Sequence, residues 1–324
     1  MKNSIKINFA YKALFVPLMI GLILSSCKQR DDYPDFSNLE PPVIEEDIIP
    51  TDNDVLPITQ RIKNSAPFLK TFLMDSTQNV TAGIDYSHIR FLNDLDQKVS
   101  MHIVEMDQSK KKVSMVALSP YDDYLYTTQQ LPEMMKMNQE TIPSKLMVGI
   151  VGDNHSSGTP TGSYVKKGRV IKTSTSLTLP YIGVKKGSSE ILFLNSPNST
   201  TNPVPAIVPD EYSSLIAGQN WLLFNGIDVI YTTTTTVART AIGMTADKQK
   251  LYAITVDGVN AFSAGISLNN FRTIFKALGC NMAFFTSGST TNALSVREQD
   301  DFILKNKPAA GLPVVANAIG FVVD

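Results

Sequence analysis

The side chains with chemical reach sit in a few short, glycine-punctuated stretches. Gly149-Ile150-Val151-Gly152 runs into Asp153-Asn154-His155 and on to Gly158, Pro160 and Gly162. Arg239-Thr240 opens a run that ends at Gly243, and Asp257-Gly258 precedes Ser263. Ser287-Gly288-Ser289-Thr290 follows two phenylalanines, and Asn317 lies close to the end. A carboxylate such as Asp153 or Asp257 can serve as base or nucleophile. A guanidinium such as Arg239 matches phosphate oxygens in charge and fork geometry. Each residue also has a plainer reading. Asp257-Gly258 is a common turn pair, Arg239 can sit in an ion pair within a sheet, and His155 can be a loop hydrogen-bonder. Ser287 with His155 would suggest a serine hydrolase, but no Gly-x-Ser-x-Gly elbow surrounds the serine. His88, His102 and His155 show no HExxH or paired spacing, so neither a metal nor any other cofactor is expected.

The elements that must position these residues are mostly strands. Residues 99–106 and 112–118 alternate apolar and polar; 145–151, 164–171, 191–194, 221–224, 229–236, 251–256 and 314–323 are further strand candidates. The threonine tract inside 229–236 suits a pleated surface because its side chains are β-branched. One helix is clear. Ser267 caps a stripe of Leu268, Phe271, Ile274, Phe275 and Leu278, and Gly279 ends it. A looser stripe predicts a second helix over 58–76. Many strands and few helices give an α+β fold with mixed or antiparallel sheets.

The N-terminus concerns address. Lys2, Lys6 and Lys12 precede an apolar run over 13–24, which is too short to span a bilayer core of ~30 Å. Leu24-Ser25-Ser26-Cys27 then reads as a lipoprotein cleavage site. We expect a signal peptide over 1–26, with Cys27 the palmitate-type acyl acceptor. Residues 27–57 form a tether; nine acids stand against Lys28 and Arg30, with five prolines, a composition that does not offset its ordering entropy. A helical segment over 58–79 and one domain over 80–324 follow. The whole chain carries 29 basic and 30 acidic side chains, without a basic tract, so no nucleic-acid partner is expected. Cys280 has no cysteine left to pair with and reads as buried packing.

Taken in order, the segments around Asp153, Arg239-Thr240-Ala241-Ile242-Gly243, Val256-Asp257-Gly258, Ser263-Ala264-Gly265, Phe284 to Ser289 and Val315 to Gly320 resemble the phosphodiester glycosidase family over residues 80–324. Members of that family remove a sugar joined through a phosphodiester. The resemblance implies substrate-binding positions at Arg239, Thr240, Asn154, His155, Ser263, Ser287, Gly288 and Asn317. If the chain is active, it implies catalysis by Asp153 and Asp257 converging with Arg239 in one pocket. The chain departs from the family pattern where chemistry is concentrated. Val151 stands for asparagine, and Val259 and Pro313 for arginines. Ser287 to Thr290 stand for Asp-Gly-Gly-Gly, so a carboxylate is lost and Ser289 and Thr290 meet backbone angles that favour glycine. The implied protein is an outer-membrane lipoprotein on the cell surface, since Asp31-Asp32 resembles the acidic export signal of Bacteroidetes lipoproteins. Its ligand is a carbohydrate or sugar phosphate, bound by a catalytically degenerate domain. An active glycosyl phosphodiester hydrolase is the alternative. A structural accessory protein, with an exposed apolar patch and no pocket, is the third class.

Overall fold

Runs of β-branched and aromatic residues that bury one or both faces build a sandwich of antiparallel sheets. The computed structural model describes residues 56–176, 178–195, 207–309 and 311–324. The expected leader, Cys27 and the tether up to residue 55 lie outside the described residues. The largest sheet has eight strands, in the order Thr71–Thr81, Ile84–Leu92, Lys98–Asp107, Lys250–Val256, Arg239–Thr245, Cys280–Gly288, Asn220–Phe224 and Ile227–Asp228. One face packs under the helices Pro57–Ser65 and Leu268–Ala277, where Ile58, Ile62, Phe271 and Phe275 meet Ile89, Phe91, Tyr252 and Ile254. The other face presents Val104, Ile242, Ala253 and Phe284 to two five-stranded sheets, which answer with Val148, Ile150, Ile319, Phe321, Ile182 and Ile216.

The first of these smaller sheets runs Asp301–Leu304, Leu294–Glu298, Lys145–Val151, Ala318–Val323, Val113–Leu118; the second runs Arg169–Lys172, Tyr164–Lys166, Tyr212–Ala217, Tyr181–Lys185, Leu192–Leu194. A third helix, Leu131–Gln139, buries Met134 and Met135 against Leu146 and Val151. The α+β, strand-dominated class read from the sequence is therefore the observed one. The clear helix is also present: the Ser267 side chain accepts from Asn270 N–H at 3.2 Å and Gly279 follows at φ +82°. Cys280 is buried and opens the next strand.

Four expectations need correction. The helix placed over 58–76 ends at Ser65, because Pro67 cannot continue it. Thr71–Thr81 is instead an edge strand paired with Ile84–Leu92, so the segment set apart as 58–79 and the domain from 80 share one sheet. Residues 229–236 form no strand. The sheet edge closes at Ile227–Asp228, and the exposed threonines find no partner strand; β-propensity without a neighbour to pack on is weak. Residues 164–171 are a hairpin, turned by Lys167 at φ +49° and Gly168 at φ +73°, the positive-φ pair of a tight two-residue loop. Residues 314–323 split into Val314–Val315, paired with Gln129–Gln130, and Ala318–Val323.

Candidate functional site

Asp153 follows the wholly buried end of the Lys145–Val151 strand and meets Asn317, which lies just before Ala318–Val323. Its backbone N–H donates to Asn317 Oδ1 at 2.8 Å. This approach needs glycine beside it, since a Cβ on Gly152 would fall 2.2 Å from Asn317 Oδ1. Gly162 N–H donates to Asp153 Oδ2, and a Cβ on Gly162 would fall 2.1 Å from Ala217 Cβ. The spaced glycines thus serve a tight wrap around one carboxyl. Asp153 is 2% exposed. Burial pushes its carboxyl up to about 7, against the opposing pull of the surrounding peptide N–H groups. Oδ2 accepts from Gly162, and Oδ1 is buried without a partner. Asn317 Nδ2 is likewise buried without a partner. Two unpartnered buried atoms, Asp153 Oδ1 and Asn317 Nδ2, thus lie on residues joined by one backbone-to-side-chain hydrogen bond.

His155 stands two residues on, in the small hairpin His155–Ser156 and Thr159–Pro160. Its Nδ1 accepts from Gly158 N–H at 3.3 Å. This assigns the neutral ring's proton to Nε2, another buried donor without a partner. The Asn154 side chain is exposed, and its carbonyl holds Thr161.

Asp257 has a different setting. It is fully buried, and both oxygens are occupied. Oδ2 lies 3.1 Å from His102 Nε2, and Oδ1 accepts from Lys307 N–H at 2.7 Å. His102 Nδ1 meets the Tyr86 hydroxyl at 2.8 Å, and His88 stacks on His102 with ring centroids 4.3 Å apart. Ser263 closes the same turn: its hydroxyl donates to Asp257 O and accepts from Ser100 N–H. Asp257 and Ser263 are thus internal fasteners of the turn, with no free valence toward a ligand.

Arg239 pairs in register with Val256 on one side and Gly288 on the other. Its Nε donates to Ile266 O at 2.9 Å and Nη2 to Thr235 O at 3.3 Å; the guanidinium lies over Phe285, 5.7 Å from the ring centre. Burial lowers its pKa, and no carboxylate among the described residues pairs with it. The Arg239 contacts Ile266 and Phe285 belong to the core under the helices. The next residue, Thr240, faces the other way and meets Thr255, whose cross-strand neighbour is His102. Alternation along a strand therefore puts Arg239 and Asp257 on opposite faces of the sheet.

Thr240 also bonds Asn292, whose Nδ2 donates to Val256 O at 2.9 Å. Ser287 is buried opposite Thr240, with its hydroxyl 2.5 Å from Thr291 Oγ1. Ser289 takes φ +64°. Ser289 thus meets a glycine-favouring angle as expected, at about 1–2 kcal/mol for a residue with a Cβ, whereas Thr290 does not take positive φ. Asn292 and His102 carry no signal at the sequence level, since their partners lie 52 and 155 residues away. Thr240, Ser287, Asn292, Ala293, Val151 and Asp153 form one continuous edge of the sandwich, because Ala293 O receives Val151 N–H. Asp153 and Asn317 are bonded there, with His155 two residues on; Arg239 faces the other side of the sheet, and the Asp257 carboxylate is taken up by His102 and Lys307. Two clefts of about 490 and 210 Å³ open at the far end of the Arg239–Thr245 strand, around Ile191, Met244 and Lys248, and contain none of these residues.

The family model for phosphodiester glycosidase matches residues 144–322, which include every residue of this edge. Solved structures share the fold. The catalytic domain of zebrafish N-acetylglucosamine-1-phosphodiester alpha-N-acetylglucosaminidase, auto-inhibited by its pro-peptide, is 17% identical, with 77% of this chain and 88% of that chain covered at a TM-score of 0.54. A hypothetical protein from Synechocystis is 14% identical over 78% of this chain and 64% of that one, with a TM-score of 0.53. An exported protein from Burkholderia pseudomallei K96243 is 9% identical over 79% and 98%, with a TM-score of 0.55. No curated protein matches the chain. With more than half of its length matched and its fold shared by these structures, the chain belongs to the phosphodiester glycosidase family.

Proposed function

We propose that this protein is a lipid-anchored member of the family that binds a glycan or anionic sugar conjugate without cleaving it. The observation that carries the reading is the pair of unpartnered buried polar atoms, Asp153 Oδ1 and Asn317 Nδ2. A buried donor without a partner is destabilising unless a ligand oxygen completes it. Sugar hydroxyls and phosphate oxygens are such acceptors. Glycosidic hydrolysis canonically needs two carboxyl groups flanking the scissile bond, one of them a free base or nucleophile. Here Asp257 is spent on His102 and Lys307. Ser287 stands in place of the other family carboxylate, and its hydroxyl is engaged by Thr291. Arg239 is turned to the opposite face of the sheet. The lipobox before Cys27 and the acidic tether support an anchored protein held away from its membrane, and Asp31-Asp32 supports outward display.

Incubating the full chain with UDP-N-acetylglucosamine, and with an N-acetylglucosamine phosphodiester of mannose, is expected to release no sugar. Calorimetry should detect binding of the phosphodiester that is lost in Asn317→Ala. Sugar release that disappears in Arg239→Ala would overturn the non-catalytic reading. Radiolabelled palmitate should enter the wild-type chain and not Cys27→Ala; equal labelling of both would remove the anchor.

A further inference from the structure

The loop after Val113–Leu118 holds Pro120-Tyr121-Asp122-Asp123-Tyr124-Leu125-Tyr126. Tyr121, Leu125 and Tyr126 are 55%, 68% and 48% exposed. Exposed rings on a loose loop would mean little, but this loop is clamped. Lys166, whose side chain is 1% exposed, reaches Asp122 Oδ1 at 2.5 Å and also bonds Ser119. Lys167 and Thr141 hold Asp122 Oδ2 at 2.9 and 2.6 Å. Tyr121 N–H donates to Gln129 Oε1 at 2.7 Å, and Arg169 lies 4.5 Å from the Tyr124 ring centre. Tyr121 and Asp122 both take positive φ, 57° and 54°, a strained backbone that the clamp must hold. Three exposed apolar side chains are thus presented in a fixed geometry that the core does not require.

The clamped loop adjoins these unpartnered atoms by three routes. It touches the His155 hairpin where a Cβ on Gly158 would fall 2.8 Å from Thr127 Cα. The Tyr126 hydroxyl donates to Ile171 O at 2.9 Å, and the next residue, Lys172, bonds Pro160 O in that hairpin. Gln130 pairs with Val314, which is 45% exposed and three residues before Asn317. Building on the glycan-binding reading, we propose that Tyr121, Leu125, Tyr126 and Val314 form a stacking platform for a second sugar ring, so that the ligand is an oligosaccharide that runs from this platform along the His155 hairpin toward Asp153 and Asn317. A pyranose has an apolar C–H face and a polar rim, which a rigid tyrosine matches with its ring and hydroxyl.

The test is an array of soluble oligosaccharides of three or more rings, probed with the full chain. Wild type should bind at least one glycan. Tyr121→Ala/Tyr126→Ala, with an unchanged melting temperature, should weaken that binding roughly tenfold. Tyr126→Phe, which keeps the ring face, should retain it. No glycan bound by wild type, or equal binding by the double variant, overturns the platform. So does binding of a non-acylated Cys27→Ser chain to phosphatidylcholine–phosphatidylglycerol vesicles that is lost with the two tyrosines. Asp153→Ala separates this proposal from the one it rests on. A glycan lost with the tyrosines but kept in Asp153→Ala leaves the platform standing and removes the Asp153–Asn317 pair.

Discussion

An Asp257→Ala chain should lose about 3 kcal/mol of folding stability, read as a lower urea midpoint at unchanged slope. The carboxylate joins both His102 and the Lys307 N–H to the turn. Its removal leaves the buried His102 Nε2 with only Ser100 Oγ at 3.4 Å, and it frees Lys307 N–H. An unmade bond in a dry site loses the full desolvation of the stranded group. A surface or purely catalytic carboxylate would behave differently: its loss would leave the midpoint in place and remove turnover. A change within about 0.5 kcal/mol, the range typical of surface sites, would return Asp257 to the list of free acids.

The second large effect appears as a pH profile. The Asp153 carboxyl sits at about 7 in the fold and at 3.8 when unperturbed. Between those values the native chain holds a proton that the unfolded chain has lost. Stability from this group is complete below about 3.8 and falls as pH rises through 7, by up to about 1.4 kcal/mol per pH unit. Asp153→Asn has no proton to lose. Its stability relative to wild type should therefore climb from pH 4 to 7 and level off above. His88 contributes the opposite slope. Burial, and then the neighbouring His102, press its pKa down to about 2 from 6.5, so its contribution is lost as pH falls below 6.5. The wild-type curve mixes the two trends, and the variant separates them. Parallel curves for Asp153→Asn and wild type would show that Asp153 is ionised in the fold.

What the sequence made legible follows from where each signal resides. The Leu268–Ala277 helix carries its cap and its stripe within a dozen residues, so local physics decides it. The Lys145–Val151 strand is read correctly because it is apolar throughout and buried. Thr71–Thr81 escapes notice since its middle, Asp75 to Asn79, is polar and lies on a half-exposed edge, which removes the alternation that marks a strand. The threonines near 232 fail in the other direction: their side chains suit a strand, but no strand lies beside them. At the site, the family resemblance points to Asp153 and Asn317. The fates of Asp257 and Arg239 depend on which face of the sheet each occupies, and that is fixed by register: Arg239 against Val256 and Gly288, and Asp257 against His102, 155 residues away.

The placement of Ala318–Val323 constrains how the chain can acquire its structure. This segment lies between Lys145–Val151 and Val113–Leu118, so one of the smaller sheets lacks an interior strand until residue 323 has been synthesised. Non-local pairing of this kind slows folding and discourages ordered intermediates during synthesis. This sheet should therefore stay open until residues 318–323 arrive, and deletion of those six residues would part Val113–Leu118 from the rest of it rather than trim its margin.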